Sequence, residues 1–208
     1  MVAVPAPQSP AAHWFSLWSK LVALSLAALC WGLINFGLLL WLPGDLQEKG
    51  YSVTVASTLL AKSALISFPT VFLCAFLYSR WSTKWSLVTM IAITMVGLGL
   101  VIHLELAGHG SPVLPVSLLI VGSNGILAIL LPYAAESFPL NVRGRATGWV
   151  AACTKAGGVG AQGLAITALV PSVGSAAVAI MLPTALALAL IARFGRETRG
   201  TDLRDLDG

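Results

Sequence analysis

Apolar positions fall into six runs, 21–42, 54–79, 86–107, 113–135, 146–170 and 173–194, with short polar stretches between them. Each run is near or above the ~20 residues that a helix needs to cross a bilayer. Lipid offers the backbone no hydrogen-bond partner, so each run predicts an α-helix. Pro69, Pro132 and Pro183 lie inside runs and predict kinks, because proline removes a helical hydrogen bond. The expected fold is an all-α integral membrane domain of six transmembrane helices over residues 21–194. Residues 1–20 and 195–208 are expected to flank it as an N-terminal segment and a C-terminal tail.

The few polar residues inside the runs form a pattern. The first run carries Asn35 and the fourth Asn124, while the second carries Lys62 and the fifth Lys155. The third and sixth have no strongly polar residue near their centres; His103 and Glu105 lie at the end of the third. The order Asn, Lys, none therefore occurs twice. With three helices per unit, the second copy is inverted in the membrane. Inverted three-helix repeats place a binding site near mid-depth at the repeat interface. Helices one, two, four and five are then expected to face a cavity, and three and six to face lipid or outer contacts.

Lys62 is about eight residues into its helix, or roughly 12 Å at 1.5 Å per residue, and Lys155 is about as deep from the opposite side. Intramembrane charge costs a few kcal/mol on insertion scales and marks function by default. The two lysines are therefore candidate ligands for an anionic solute, with structural pairing to carbonyls or a carboxylate as the alternative. Gln162 is seven residues beyond Lys155 and shares its helix face. Asn35 and Asn124 suit either substrate contact or interhelical hydrogen bonding. Gly157 and Ala161 make a small-xxx-small pair, read as close helix packing.

Composition supports the membrane reading. The chain has 208 residues, 57% hydrophobic and only 10% charged, against about 25% charged in soluble domains, and its mean hydropathy is +0.88. The net charge of +4 sits at span ends, which speaks for topology and against a nucleic-acid partner. Lys20, Arg80, Lys84, Arg143, Arg145, Arg193, Arg196, Arg199 and Arg204 fall on one side and only Lys49 on the other. The positive-inside rule puts both termini in the cytoplasm, in a bacterial inner or plasma membrane. Trp14, Trp18, Trp41, Trp81 and Trp85 lie near span ends as an aromatic belt.

Cys30, Cys74 and Cys153 are spaced for no metal motif and read as buried thiols. The opening residues show no cleavable signal pattern. His13, His103 and His109 are far apart, and no nucleophile–base pair, phosphate loop or metal motif is present in the sequence. Neither an enzyme nor a cofactor or metal is expected. No carboxylate sits at mid-depth. Glu136, near the end of the fourth run, is expected to pair with Arg143 and Arg145 as a cytoplasmic latch, with Arg80 at the same end.

The segment Glu136-Ser-Phe-Pro-Leu-Asn-Val-Arg-Gly-Arg-Ala-Thr-Gly148 resembles the link between the tenth and eleventh helices of major facilitator superfamily transporters. It is nearest to the sugar-porter and metabolite/H⁺-symporter branches. Thr147 to Gly158 is similar to the start of their eleventh helix, and Trp31 to Gly37 followed by Trp41-Leu-Pro43 to their seventh. Glu197-Thr-Arg-Gly-Thr-Asp-Leu203 resembles their common ending. Arg80-Trp-Ser-Thr-Lys84 takes the place of the family's basic loop after the eighth helix but departs from its Asp-Arg-x-Gly-Arg form. The resemblance covers nearly the whole chain and implies the C-terminal six-helix half of a twelve-helix, alternating-access fold.

The leading expectation is transport of a small organic solute, an anionic metabolite. Lys62, Lys155, Asn35, Asn124 and Gln162 would bind it, and Glu136, Arg143, Arg145 and Arg80 would form the cytoplasmic gate. Expected partners are the bilayer, the solute, and an N-terminal six-helix half or a second copy. A self-associating half-transporter and a truncated, non-transporting remnant or accessory membrane subunit are the alternatives.

Overall fold

The computed structural model describes residues 10–50, 52–108, 110–167 and 169–200. Among them all regular structure is helical. The elements are α1 (Pro10–Leu33), a π-helical turn (Ile34–Leu38), α2 (Leu39–Glu48), α3 (Val53–Ser67), α4 (Thr70–Arg80), α5 (Thr83–Ala107), α6 (Val113–Ser137), α7 (Leu140–Ile166) and α8 (Val173–Phe194). Residues 1–9 of the expected N-terminal segment lie outside the described residues. So do His109 and the tail from 201, including Arg204.

The sequence expectations and the helices differ in instructive places. α1, the π turn and α2 run on as one helix well beyond 21–42, because polar residues such as Lys20 and Asp45 end an apolar run without ending a helix. The second run is broken at Phe68 and Pro69 into α3 and α4. Pro132 and Pro183 instead sit inside α6 and α8, which continue through them. Five helices among the described residues are long and apolar enough to cross a membrane. α7 is long enough, at 27 residues, but carries the two arginines, Lys155, Gln162 and many glycines.

Side-chain caps set several helix starts. Ser52, Ser82 and Ser172 accept from the amides of Val55 (3.3 Å), Trp85 (2.9 Å) and Ser175 (3.3 Å) at the starts of α3, α5 and α8, satisfying amides that have no partner in the helix. Gly108 ends α5 in the left-handed conformation, φ 68°, which glycine adopts without steric cost.

The bundle has two clusters of buried side chains. One, at the end carrying most of the arginines, joins Leu24, Trp31, Leu87, Ile91, Ile129, Tyr133 and Val150. The other, at the opposite end, joins Ile34, Leu38, Leu98, Leu119 and Ala177. Trp31 lies between α1 and α6, its Nε1 donating to the Ser123 carbonyl at 2.8 Å. Trp31→Phe removes that hydrogen bond and leaves the space of the second indole ring unfilled. It is expected to cost about 1–3 kcal/mol, read as a lower unfolding midpoint in detergent.

α1 and α7 cross closely. A Cβ at Gly32 would lie closer than 3.0 Å to the Thr154 carbonyl oxygen, and one at Gly157 closer than 3.0 Å to that of Leu29. Farther along, Gly37 faces Ala161. Gly157 and Ala161 thus meet α1 as a small-residue pair. Gly32 and Gly37 are five residues apart, a spacing that an α-helix turns through about 140°. The π turn between them, whose Leu39 amide bonds to the Ile34 carbonyl, winds more slowly. Both glycines therefore face α7.

Candidate functional site

The π turn sets the centre of one group of candidate residues. Phe36 projects from it toward α7, where Lys155 places its ammonium 5.4 Å from the ring centroid, within cation–π range. Trp31 packs edge-on against the same ring at 5.9 Å. The Gln162 amide donates to the Phe36 carbonyl, seven residues along the α7 face from Lys155. This bond ties the π turn to α7. Asn35, half-buried in the same turn, donates to the Trp31 carbonyl at 3.0 Å.

Lys62 and Asn124 belong to a second helix pair. α3 packs on α6 through Ser63 and Ser117, 3.3 Å apart, and through the Asn124 amide, 3.5 Å from the Ser67 hydroxyl. Asn124 thus acts between helices, on the buried face of α3, while Lys62 lies on its exposed face. Lys155 is likewise exposed on α7. Of the expected solute ligands, Lys155, Gln162 and Asn35 gather around Phe36, whereas Lys62 and Asn124 stand on the other helix pair. Phe36 was missed in the sequence; its only signal was its place between Asn35 and Gly37.

The arginine-rich end holds a second network. Glu136 does not pair with Arg143 or Arg145, as its position in the sequence suggested. It accepts from the Tyr78 hydroxyl at 2.5 Å and from Thr198 at 2.6 Å. Phe138 and Pro139 are extended between α6 and α7 and turn the chain away, so Arg143 donates through Nε to the Phe138 carbonyl at 3.3 Å. Its Nη2 is buried with no hydrogen-bond partner among the described residues. Arg80 and Arg145 are exposed.

The chain beyond α8 folds back onto this end. Glu197 caps α5, accepting from the Ser82 hydroxyl, from the Thr83 amide (2.9 Å) and hydroxyl (2.6 Å), and from the Arg199 amide (3.1 Å). Thr198 meets the Thr83 hydroxyl at 2.7 Å, the Tyr133 hydroxyl donates to the Arg196 carbonyl at 2.7 Å, and Arg199 reaches the Trp81 carbonyl at 2.9 Å. The carboxylate at a helix start also meets the positive end of its dipole. These residues escaped the site prediction although the Glu-Thr-Arg-Gly ending had flagged the segment.

Burial would push the Glu197 carboxyl up, but the Ser82 and Thr83 hydroxyls and the Thr83 and Arg199 amides outweigh it and hold the group down at about 2, from an ordinary 4.5. A depressed folded value means that the stabilisation is complete above 4.5 and fades as pH falls toward 2. The unfolding midpoint of the purified chain is expected to drop between pH 5 and 2.5, and Glu197→Gln to flatten that drop. An unchanged pH profile in the variant would contradict this.

At the other end, Lys49 bridges Asp45 (2.7 Å) and Glu105 (2.5 Å), and Asp45 also accepts from the Val173 amide at 3.3 Å. These contacts tie α2 to α5 and α8. A cavity of about 350 Å³ lies beside them.

The model of the Major Facilitator Superfamily matches residues 3–162. Among curated proteins, the chain is 27% identical over 196 residues to the "putative niacin/nicotinamide transporter NiaP" of Bacillus subtilis (strain 168), covering 90% of this chain and 48% of that protein. It is 26% identical over 217 residues to the niacin transporter NiaP of Acinetobacter baylyi, covering 99% and 48%. The chain spans about half the length of these relatives.

Proposed function

The chain belongs to the Major Facilitator Superfamily, and on that premise we propose that it serves in moving a small aromatic carboxylate across a membrane. Niacin, the solute for which both relatives are named, is the model: a planar ring carrying one negative charge at neutral pH. The observation that carries the reading is the exposed Lys155 ammonium beside the Phe36 ring. An ammonium can pair with a carboxylate, and a ring can stack on an aromatic solute. Gln162 and Asn35 would orient the solute, while Lys62 and Asn124 would approach it from the α3–α6 wall.

Alternating access needs a second wall. The length of the relatives and the exposed Leu65 on α3, Phe68 at the break, and Phe72 and Phe76 on α4 support a six-helix half as the covering partner. The arginine-rich end is proposed to face the cytoplasm, with both termini, in a bacterial inner membrane. Glu136, Arg143 and Arg80 would line the gate there.

Uptake of labelled niacin into cells producing the chain together with its covering half tests the reading. Lys155→Gln is expected to lower uptake at least about tenfold, the effect of losing some 1.4 kcal/mol, and Phe36→Leu severalfold. Undiminished niacin uptake by Lys155→Gln would overturn the assignment.

A further inference from the structure

The tight α1–α7 crossing at Gly32 and Gly157 has a counterpart at the arginine-rich end, where the two helices leave a groove of about 520 Å³. Trp14, Trp18 and Leu21 of α1 form one side. Val142 and Trp149 of α7 form the other, and Arg145 stands in the lining. Trp14, Trp18 and Trp149 are each more than half exposed, at 62%, 58% and 59%. Trp149 Nε1 is held by the Ser25 hydroxyl at 3.1 Å, which fixes its ring across the groove.

We propose that this groove holds one anionic phospholipid, its acyl chain along the apolar floor and its phosphate on Arg145. The chemistry is amphiphilic in the same sense as a lipid: apolar along its length, cationic where Arg145 enters. Tryptophans with exposed rings at a helix end occupy the headgroup level of a bilayer, where their amphipathic rings are favoured. Arginine is the side chain suited to a phosphate, because its planar fork donates two parallel hydrogen bonds. Arg143, two residues earlier, is turned inward to the Phe138 carbonyl. Arg145 is exposed and free to meet a headgroup. A protein surface is the competing occupant, since indoles and arginine are also enriched in protein interfaces.

The test uses the full chain in nanodiscs doped with phosphatidylglycerol or phosphatidylcholine, each brominated on the acyl chain so that it quenches nearby tryptophan. Brominated phosphatidylglycerol is expected to quench at a mole fraction at least tenfold lower than brominated phosphatidylcholine. Arg145→Ala should erase that difference, Arg145→Lys should restore part of it, and Trp149→Phe should reduce the quenched signal. Circular dichroism of each variant reports whether the helices remain. Equal quenching by both lipids would mean ordinary boundary lipid and would overturn the proposal. Failure of either lipid to quench these indoles would mean that protein covers the groove, and would overturn it as well.

Discussion

Replacing Gly157 with valine is expected to abolish the folded bundle. A side chain at Gly157 runs into the Leu29 carbonyl oxygen and the Cα of Gly32, so the obstacle is backbone and cannot rotate away. Overpacking a core that can relax costs about 1–3 kcal/mol, and a clash with backbone at a close helix crossing belongs at or above the top of that range. Association in lipid relies on close packing, because lipid tails are as apolar as the side chains; separating α1 from α7 therefore forfeits much of what joins them. The expected readout is loss of the monodisperse peak on detergent chromatography. Gly160→Ala is the control: a Cβ there meets nothing within 4 Å, and alanine favours the helix by about 0.8–1 kcal/mol. Equal yields from the two variants would refute the packing argument.

The second large effect is expected from Glu197→Ala. The substitution strips Ser82, Thr83 and Arg199 of a shared acceptor and removes the anion from the start of α5. Losing such a cap costs about 1–2 kcal/mol, with a few tenths more from the dipole. Partial exposure keeps the figure from rising further. Because Thr198 follows directly and bonds both Thr83 and Glu136, the loss should spread to the hold on Tyr78. Limited proteolysis after residue 194 is expected to become faster, and the unfolding midpoint to fall by several degrees. If the tail stays protected in the variant, Glu197 is not what anchors it.

Helix positions were largely legible because burial in lipid is written directly as apolarity; 173–194 coincides with α8 at both ends. What escaped was whatever depends on contact between distant segments. Nothing near Ile34 announces a π turn, since its reason is α7, more than a hundred residues away. Glu136 was misread because adjacency in sequence favoured Arg143, whereas the extended Phe138-Pro139 step separates them and brings Tyr78 and Thr198 close instead. Lys155, Gln162 and Asn35 were found because polarity within an apolar run is conspicuous. Phe36 was hidden, because an aromatic residue in such a run is ordinary.

The π turn carries one residue more than an α-helical turn would need, and its slower winding absorbs the surplus. Gly32 and Gly37 are five residues apart yet share a side, as residues four apart do in an α-helix, where they differ by about 40°. Deleting a single residue between Leu33 and Leu39 would let the helix close its ordinary hydrogen bonds and leave α1 near its present phase relative to α2. The loss would fall on the turn itself, where Phe36 meets Lys155 and its carbonyl meets Gln162. A one-residue deletion here is therefore expected to spare the bundle and cost the solute contacts, separating folding from function at one position in the chain.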